Sequence, residues 1–276
     1  MLTERGRGGR AGARPWGRRP WWRALLAAAA IVPMLLVDAS VPSTASEKLP
    51  GIIGHDDRLP ERSLELPWVA IGRVNRETGG FCTGVLVGPR MALTAAHCVW
   101  NRRTQNWFPP DVLHFVVGWR GGTHVGHARV TEVRAAPGIT FNKDGHPSRL
   151  RDDWALLELD ANLGDLVGSV PMLRVAPNIA ASFANRNDSI ASAGYNQDRP
   201  HLLYRDAGCK LTGAVKGGHM FLHDCDLTRG ASGAPLMVEQ GGRYAVIAVQ
   251  VAVMRQGGHE NGIAVIPPTD SARPVR

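Results

Sequence analysis

The stretch "TRGASGAP" (Thr228 to Pro235) sets one hydroxyl, Ser232, among residues with almost no side chain: Gly230, Ala231 and Gly233. Gly, Ser and Pro together also mark ordinary turns. Small residues beside a serine do something further: they let backbone N–H groups come close to a reacting atom, which stabilising a developing oxyanion requires. A serine hydroxyl is a weak nucleophile at its own pKa, so this chemistry needs a base within hydrogen-bond reach and a third group to orient that base. "LTAAHCV" supplies His97 at the end of an apolar stretch, directly before Cys98, and "RDDWALLEL" supplies Asp152 and Asp153 at the mouth of an apolar strand. Taken singly, the histidine reads as a core residue and the acids as a solvated strand end. Taken together, they stand in the order His, Asp, Ser, with separations of 56 and 79 residues when Asp153 is the acid.

Short apolar runs separated by turn residues must position this set. They begin with "PWVAIGRV", "CTGVLVGPRMALTAAHC", "VLHFVVGW", "HARVTEV" and "WALLELD", and continue with "DSIASAGY", "CKLTGAV", "APLMV", "YAVIAVQVAV" and "GIAVIPP". Many short strands at modest spacing, without long helical periods, predict an all-β barrel or sandwich. "GWRGGTHVGH", "GITFNKDGHPSRLRDD" and "SAGYNQDRPH" read as loops. A composition break at "NLGDLVGSVP" (Asn162 to Pro171) divides a first β unit, 64–164, from a second, 165–268, with a lead-in over 46–63 and a tail over 269–276.

With 44% apolar and 20% charged residues, the 276-residue chain has the profile of a globular protein. Its formal charge of +8 is concentrated at the start: seven arginines and no lysine against Glu4 and Asp38 give +5 over 1–45, leaving 8 − 5 = +3 for the rest. No clustered basic face is left to bind nucleic acid. The arginines precede "ALLAAAAIVPMLLV" (Ala24 to Val37), an apolar run too short to span a bilayer, and the small residues "DASVPSTAS"; this is the pattern of a secretory signal over 1–45, with Ala39 and Ala45 both suited to cleavage and an uncleaved membrane anchor as the alternative. A secreted or periplasmic location follows, with no membrane association once the signal is removed. Four cysteines in an exported chain predict two disulfides. Three pairings are possible; Cys82–Cys98 and Cys209–Cys225, each enclosing 15 residues, are favoured, and a loop of that size contributes about 3 kcal/mol. A zinc site at "HMFLHDCD" (His219, His223, Cys225) is disfavoured because the segment reads as a strand and lacks the helical H-E-x-x-H pattern. No metal or cofactor is expected.

The motifs TAAHC, DWALLEL and GASGAP, in this order, resemble those of the chymotrypsin-fold (trypsin superfamily) serine peptidases, over roughly residues 52–268. The resemblance implies two six-stranded antiparallel β-barrels with the active site between them. It also implies a triad of His97, Asp153 and Ser232, and an oxyanion hole from the amides of Gly230 and Ser232. Asp153 is preferred to Asp152 because it stands two residues before Ala155, as D-x-A-L-L requires. The implied activity is that of an endopeptidase acting on protein or peptide substrates through an acyl-enzyme, with a catalytically silent binding protein as the alternative.

"HDDRLP", "CTGVLVGPRMALTAAHCV" and "CKLTG…HDCDLTRGASGAP" further resemble the bacterial branch that includes glutamyl endopeptidases. Ala231 departs from the animal trypsin pattern, which has an aspartate there to receive a new N-terminal amine, although "GIIGHDDR" resembles an activation-site N-terminus. Gln250 falls where the glutamyl branch places a histidine that helps to receive an acidic side chain. Asp226, six residues before Ser232, falls where trypsin-like enzymes hold the carboxylate for Arg or Lys. The expectation is therefore cleavage after basic residues, with Asp226 and Gln250 in the specificity pocket.

Overall fold

A computed structural model describes residues 49–185, 189–215, 217–268 and 273–275. The segment read as a signal and the first residues of the lead-in lie outside the described residues. Within them, the apolar runs become strands. Those of the first half are β1 (Leu59–Glu61), β2 (Ile71–Arg76), β3 (Phe81–Gly88), β4 (Met91–Thr94), β5 (Trp100–Asn101), β6 (Asn106–Trp107), β7 (Leu113–Val117), β8 (Gly126–Ala135) and β9 (Ala155–Leu159). Two short helices, α1 (Leu163–Val167) and α2 (Ala180–Ala184), occupy the crossover. Then follow β10 (Ser189–Asn196), β11 (Arg199–Ala214), β12 (Met220–His223), β13 (Pro235–Gln240), β14 (Arg243–Gln256), β15 (His259–Val265) and β16 (Arg273–Pro274).

The order β8-β7-β2-β3-β4-β9 closes because β8 also pairs with β9, and the order β11-β10-β13-β14-β15-β12 closes because β11 also pairs with β12. Two closed antiparallel barrels of six strands result, and closure removes the unpaired edges that an open sheet would leave. Alternation is clearest in β8, where Ala128, Val130, Val133 and Ala135 are buried between exposed or half-buried neighbours. In the first barrel Gly72 lies opposite Gly84, and a Cβ on Gly72 would sit 2.7 Å from the Phe115 ring. Two glycines thus admit one fully buried phenyl ring, whose burial contributes about 1.5–3 kcal/mol.

The ends of the chain depart from the flanking roles expected of them. β1, from the lead-in, adds to the second barrel beside β11 with Leu59 opposite Arg205, while β16, from the tail, adds to the first barrel beside β8 with Arg273 opposite Ala135. "SAGYNQDRPH" is not a loop but a hairpin: β10 runs to Asn196, which pairs with Arg199 across a tight turn. Its polar residues mislead because several of them bond inside the protein.

Candidate active site

His97 lies on a single 3-10 turn, Ala96–Val99, that follows β4. Ala95, Ala96 and Val99 are fully buried, and Cys98 is bonded to Cys82 on β3, so the backbone on both sides of the imidazole is fixed. The second bridge joins Cys209 to Cys225. Asp153 stands between a 3-10 turn, Leu150–Asp152, and β9, and is anchored by Trp154, which is 1% exposed. Asp152 turns away and its carboxylate lies 2.6 Å from Arg149.

Both oxygens of Asp153 are committed to His97. Oδ2 is 2.7 Å from Nδ1, and Oδ1 accepts the His97 backbone N–H at 2.8 Å. A carboxylate on Nδ1 places the ring proton there and leaves the lone pair on Nε2, the atom a general base uses. The Asp153 side chain is 1% exposed and that of His97 25%, so the acid is sheltered while the ring reaches the cleft. Burial disfavours the charged ring, but the Asp153 charge and hydrogen bond together outweigh it and hold the His97 pKa above its ordinary 6.5. Cys82 and Cys98 have sulfurs near the His97 ring, but these sulfurs are bonded to each other and offer no thiolate to a metal.

Ser232 lies between the glycines that the sequence singled out. Gly230 has φ +96° and a Cβ there would sit 2.7 Å from the Tyr195 carbonyl oxygen; Gly233 has φ +84° and a Cβ there would sit 2.2 Å from the Thr83 carbonyl oxygen. Each is glycine because of both conformation and space. Among the described residues, no backbone hydrogen bond uses the N–H of Gly230 or Ser232, while Ala231 N–H bonds the Thr228 carbonyl at 3.0 Å. His97, Asp153, Gly230 and Ser232 line one cleft of about 610 Å³ between the barrels.

The chain matches the family model described as Trypsin over residues 52–275. It belongs to the trypsin family. This trypsin-family chain is similar to the glutamyl endopeptidase of Bacillus licheniformis, 27% identical over 129 residues that make up 46% of this chain and 38% of that protein. The match thus spans little more than a third of the relative's length. Its fold is similar to that of a Glu endopeptidase solved in complex with MPD, with TM-score 0.64, 22% identity, and coverage of 79% of this chain and 94% of that one. Protease Anisep from Arthrobacter nicotinovorans is also similar, with TM-score 0.56, 19% identity, and coverage of 76% and 93%.

Several residues that hold this trypsin-family site were invisible to motif reading. Thr83, fully buried on β3, donates its hydroxyl to the Gly230 carbonyl (3.0 Å) and accepts the Tyr195 N–H (2.9 Å), while its own N–H bonds the Ser232 carbonyl (2.9 Å). One threonine of the first barrel therefore grips the serine loop of the second. Asn196 accepts the Thr228 N–H at 2.9 Å. The Arg58 side chain, itself buried, bonds Asp56, Asp198 and Thr228 at 2.8–3.1 Å. Ala231 is fully buried against Gly194 on β10, where the animal pattern has its aspartate.

The pocket beside Ser232, about 480 Å³, is walled by Leu227, Val251, Ala252 and Val253, with Gln250 and Arg229 also lining it and Leu49 and Pro50 of the lead-in at one side. Gln250 is tied down at both ends. Its Oε1 lies 2.5 Å from His223 Nε2, and its amide nitrogen donates to the Ala252 carbonyl at 2.8 Å. His223 Nδ1 accepts the Cys225 N–H, so Nε2 carries the proton given to Gln250. Burial pushes the His223 pKa down to about 4, although the Gln250 bond opposes this. The same contacts, with Cys225 in a disulfide, remove the zinc alternative at His223 and Cys225.

Asp226 corrects the specificity expectation. It does not line the pocket: its carboxylate faces the lead-in, accepting the N–H of Ile53 at 2.6 Å and of Asp57 at 2.8 Å. An offset in sequence places the backbone of residue 226, but the direction of its side chain follows the donors that arrive, and here the "GIIGHDDR" loop supplies two. Cleavage after basic residues loses the anion it depended on.

Proposed function

We propose that this chain is an exported serine endopeptidase in which Ser232 attacks the scissile carbonyl. His97 Nε2 takes the hydroxyl proton as the Ser232 Oγ–carbon bond forms, and Asp153 holds the imidazolium through Nδ1–H. The amides of Gly230 and Ser232 stabilise the oxyanion. Collapse breaks the peptide C–N bond, the amine leaves with the proton from His97, and water repeats the sequence on the Ser232 ester to release the acid. The observation that carries this reading is the double engagement of His97 by Asp153, at 2.7 and 2.8 Å, in the cleft that Ser232 lines. The two disulfides support an oxidising compartment and hence export. Fluorophosphonate labelling tests the nucleophile. Label on Ser232 that disappears in Ser232→Ala, with kcat reduced about 10⁶-fold, supports the reading; unlabelled protein with no peptidase activity leaves the binding-protein alternative.

The pocket favours acidic over basic side chains at the scissile position. Arg229 lines it, is exposed, and among the described residues has no ion-pair partner, whereas the lining Asp198 is paired with Arg58 at 2.8 Å. A relative named glutamyl endopeptidase agrees. Peptide-library profiling is expected to find preference for Glu, weakened about two- to fivefold in Arg229→Gln, the range of an exposed ion pair. Preference for Arg or Lys would overturn it.

A further inference from the structure

On the outer face of the first barrel three of the chain's ten histidines gather. His114 on β7 and His127 on β8 are diagonal neighbours, since His114 lies opposite Arg129 and Val116 opposite His127. Their rings stack at 5.0 Å, and His114 Nδ1 is 2.9 Å from His127 Nε2. His124, on the turn that opens β8, has its ring centroid 6.1 Å from that of His127. On the far side of His114, Nε2 lies 3.0 Å from Glu77 Oε1.

These contacts fix the protons. Glu77 is an acceptor, so His114 carries its proton on Nε2 and turns the Nδ1 lone pair toward His127. A carboxylate on the outer nitrogen of an imidazole whose inner nitrogen faces a shared point is the arrangement that orients histidines on zinc. We propose that His114 and His127 form the core of a binding site for a borderline divalent metal such as Zn²⁺, with Glu77 as the positioning residue behind His114, His124 closing in from its exposed turn and water completing the shell. Zn–N bonds of about 2.05 Å at a tetrahedral angle separate two ligand nitrogens by about 3.3 Å. The present 2.9 Å must open by a few tenths of an ångström, and the two nitrogens, which now face each other in a hydrogen bond, converge on one point when the exposed His127 ring turns. Metal entry takes the place of the proton held between the two nitrogens, and His127 moves that proton to its Nδ1, so that both rings ligate as neutral imidazoles. Imidazole ligands select zinc, copper or nickel over magnesium and calcium. Thr78 and Gly79, which follow Glu77, line the catalytic cleft, so a bound metal would brace one of its walls.

The test is calorimetric titration of ZnCl₂ into untagged, chelator-stripped protein at pH 7.5, with CoCl₂ followed by its tetrahedral visible bands. One equivalent should bind. His127→Asn should weaken it at least 100-fold, and Glu77→Gln 10- to 100-fold, with unchanged circular dichroism. His259→Ala and His97→Ala should bind as the parent does. Absence of binding at millimolar zinc, binding unchanged in a His114→Ala/His127→Asn double variant, loss of binding in His97→Ala, or equal displacement by Mg²⁺ would each overturn the site.

Discussion

At the scale of single residues, one contact sets two opposite pH dependences. In the proposed mechanism His97 must be neutral to accept a proton, so kcat/KM should rise with pH through an inflection above 6.5, because Asp153 raises the pKa. Asp153→Asn should lower kcat about 10⁴-fold and move that inflection down; an inflection unmoved by the substitution would separate it from His97. Stability runs the other way. A group whose folded pKa is raised stabilises the fold fully below its unfolded pKa, near 6.5 for histidine, and loses that contribution as pH rises through the folded value. The melting temperature of the parent relative to His97→Ala should therefore fall between about pH 6 and 8, across the interval in which activity appears. Asp152, one position away, is not oriented on the ring and should tolerate replacement by Asn with kcat unchanged.

At the scale of elements, β3 carries the join between barrels through Thr83. Thr83→Val leaves the Tyr195 N–H and the Gly230 carbonyl without partners, at about 1–3 kcal/mol for each buried group. In the proposed mechanism Gly230 supplies an oxyanion amide, so kcat should fall while KM changes little, and Thr83→Ser should restore both stability and kcat. Equal losses in the Val and Ser variants would show that packing of the methyl, not the hydroxyl, matters. Strands whose pattern is set by one buried face, such as β8, were legible in the sequence, as were the motifs that set His97, Asp153 and Ser232 apart. Thr83 was not, because a hydroxyl inside "FCTGVLVG" has a purpose only once a loop from residue 230 arrives beside it. Asp226 was misread for the related reason that its carboxylate answers donors 169 and 173 residues away. The crossing of the ends was equally hidden, since three residues at β1 and two at β16 carry no periodicity.

At the scale of the whole molecule, the second barrel encloses acids that oppose each other. Asp206 Oδ2 accepts the Asp226 N–H at 2.8 Å, and burial, with the charges of Asp226, Asp57 and Asp224, pushes its pKa up to about 6; burial raises Asp226 as well. A raised carboxylate pKa stabilises below its unfolded value near 3.8 and withdraws that stability as pH climbs through about 6. Asp206→Asn keeps an oxygen for the Asp226 N–H and removes the charge. It should raise the melting temperature by several degrees at pH 8, on the order of 2–3 kcal/mol, and leave it unchanged at pH 4, as calorimetry across that range would measure. The acids share this barrel with a strand from the other end of the chain, since β1 belongs to the first half and β16 to the second. Each half therefore clasps its counterpart, while each disulfide stays within its own half. A single nick in the crossover, between β9 and β10, should yield two fragments that co-elute under native conditions and part in denaturant without reductant. Continuity of the polypeptide would then matter for assembling the enzyme and not for keeping it assembled.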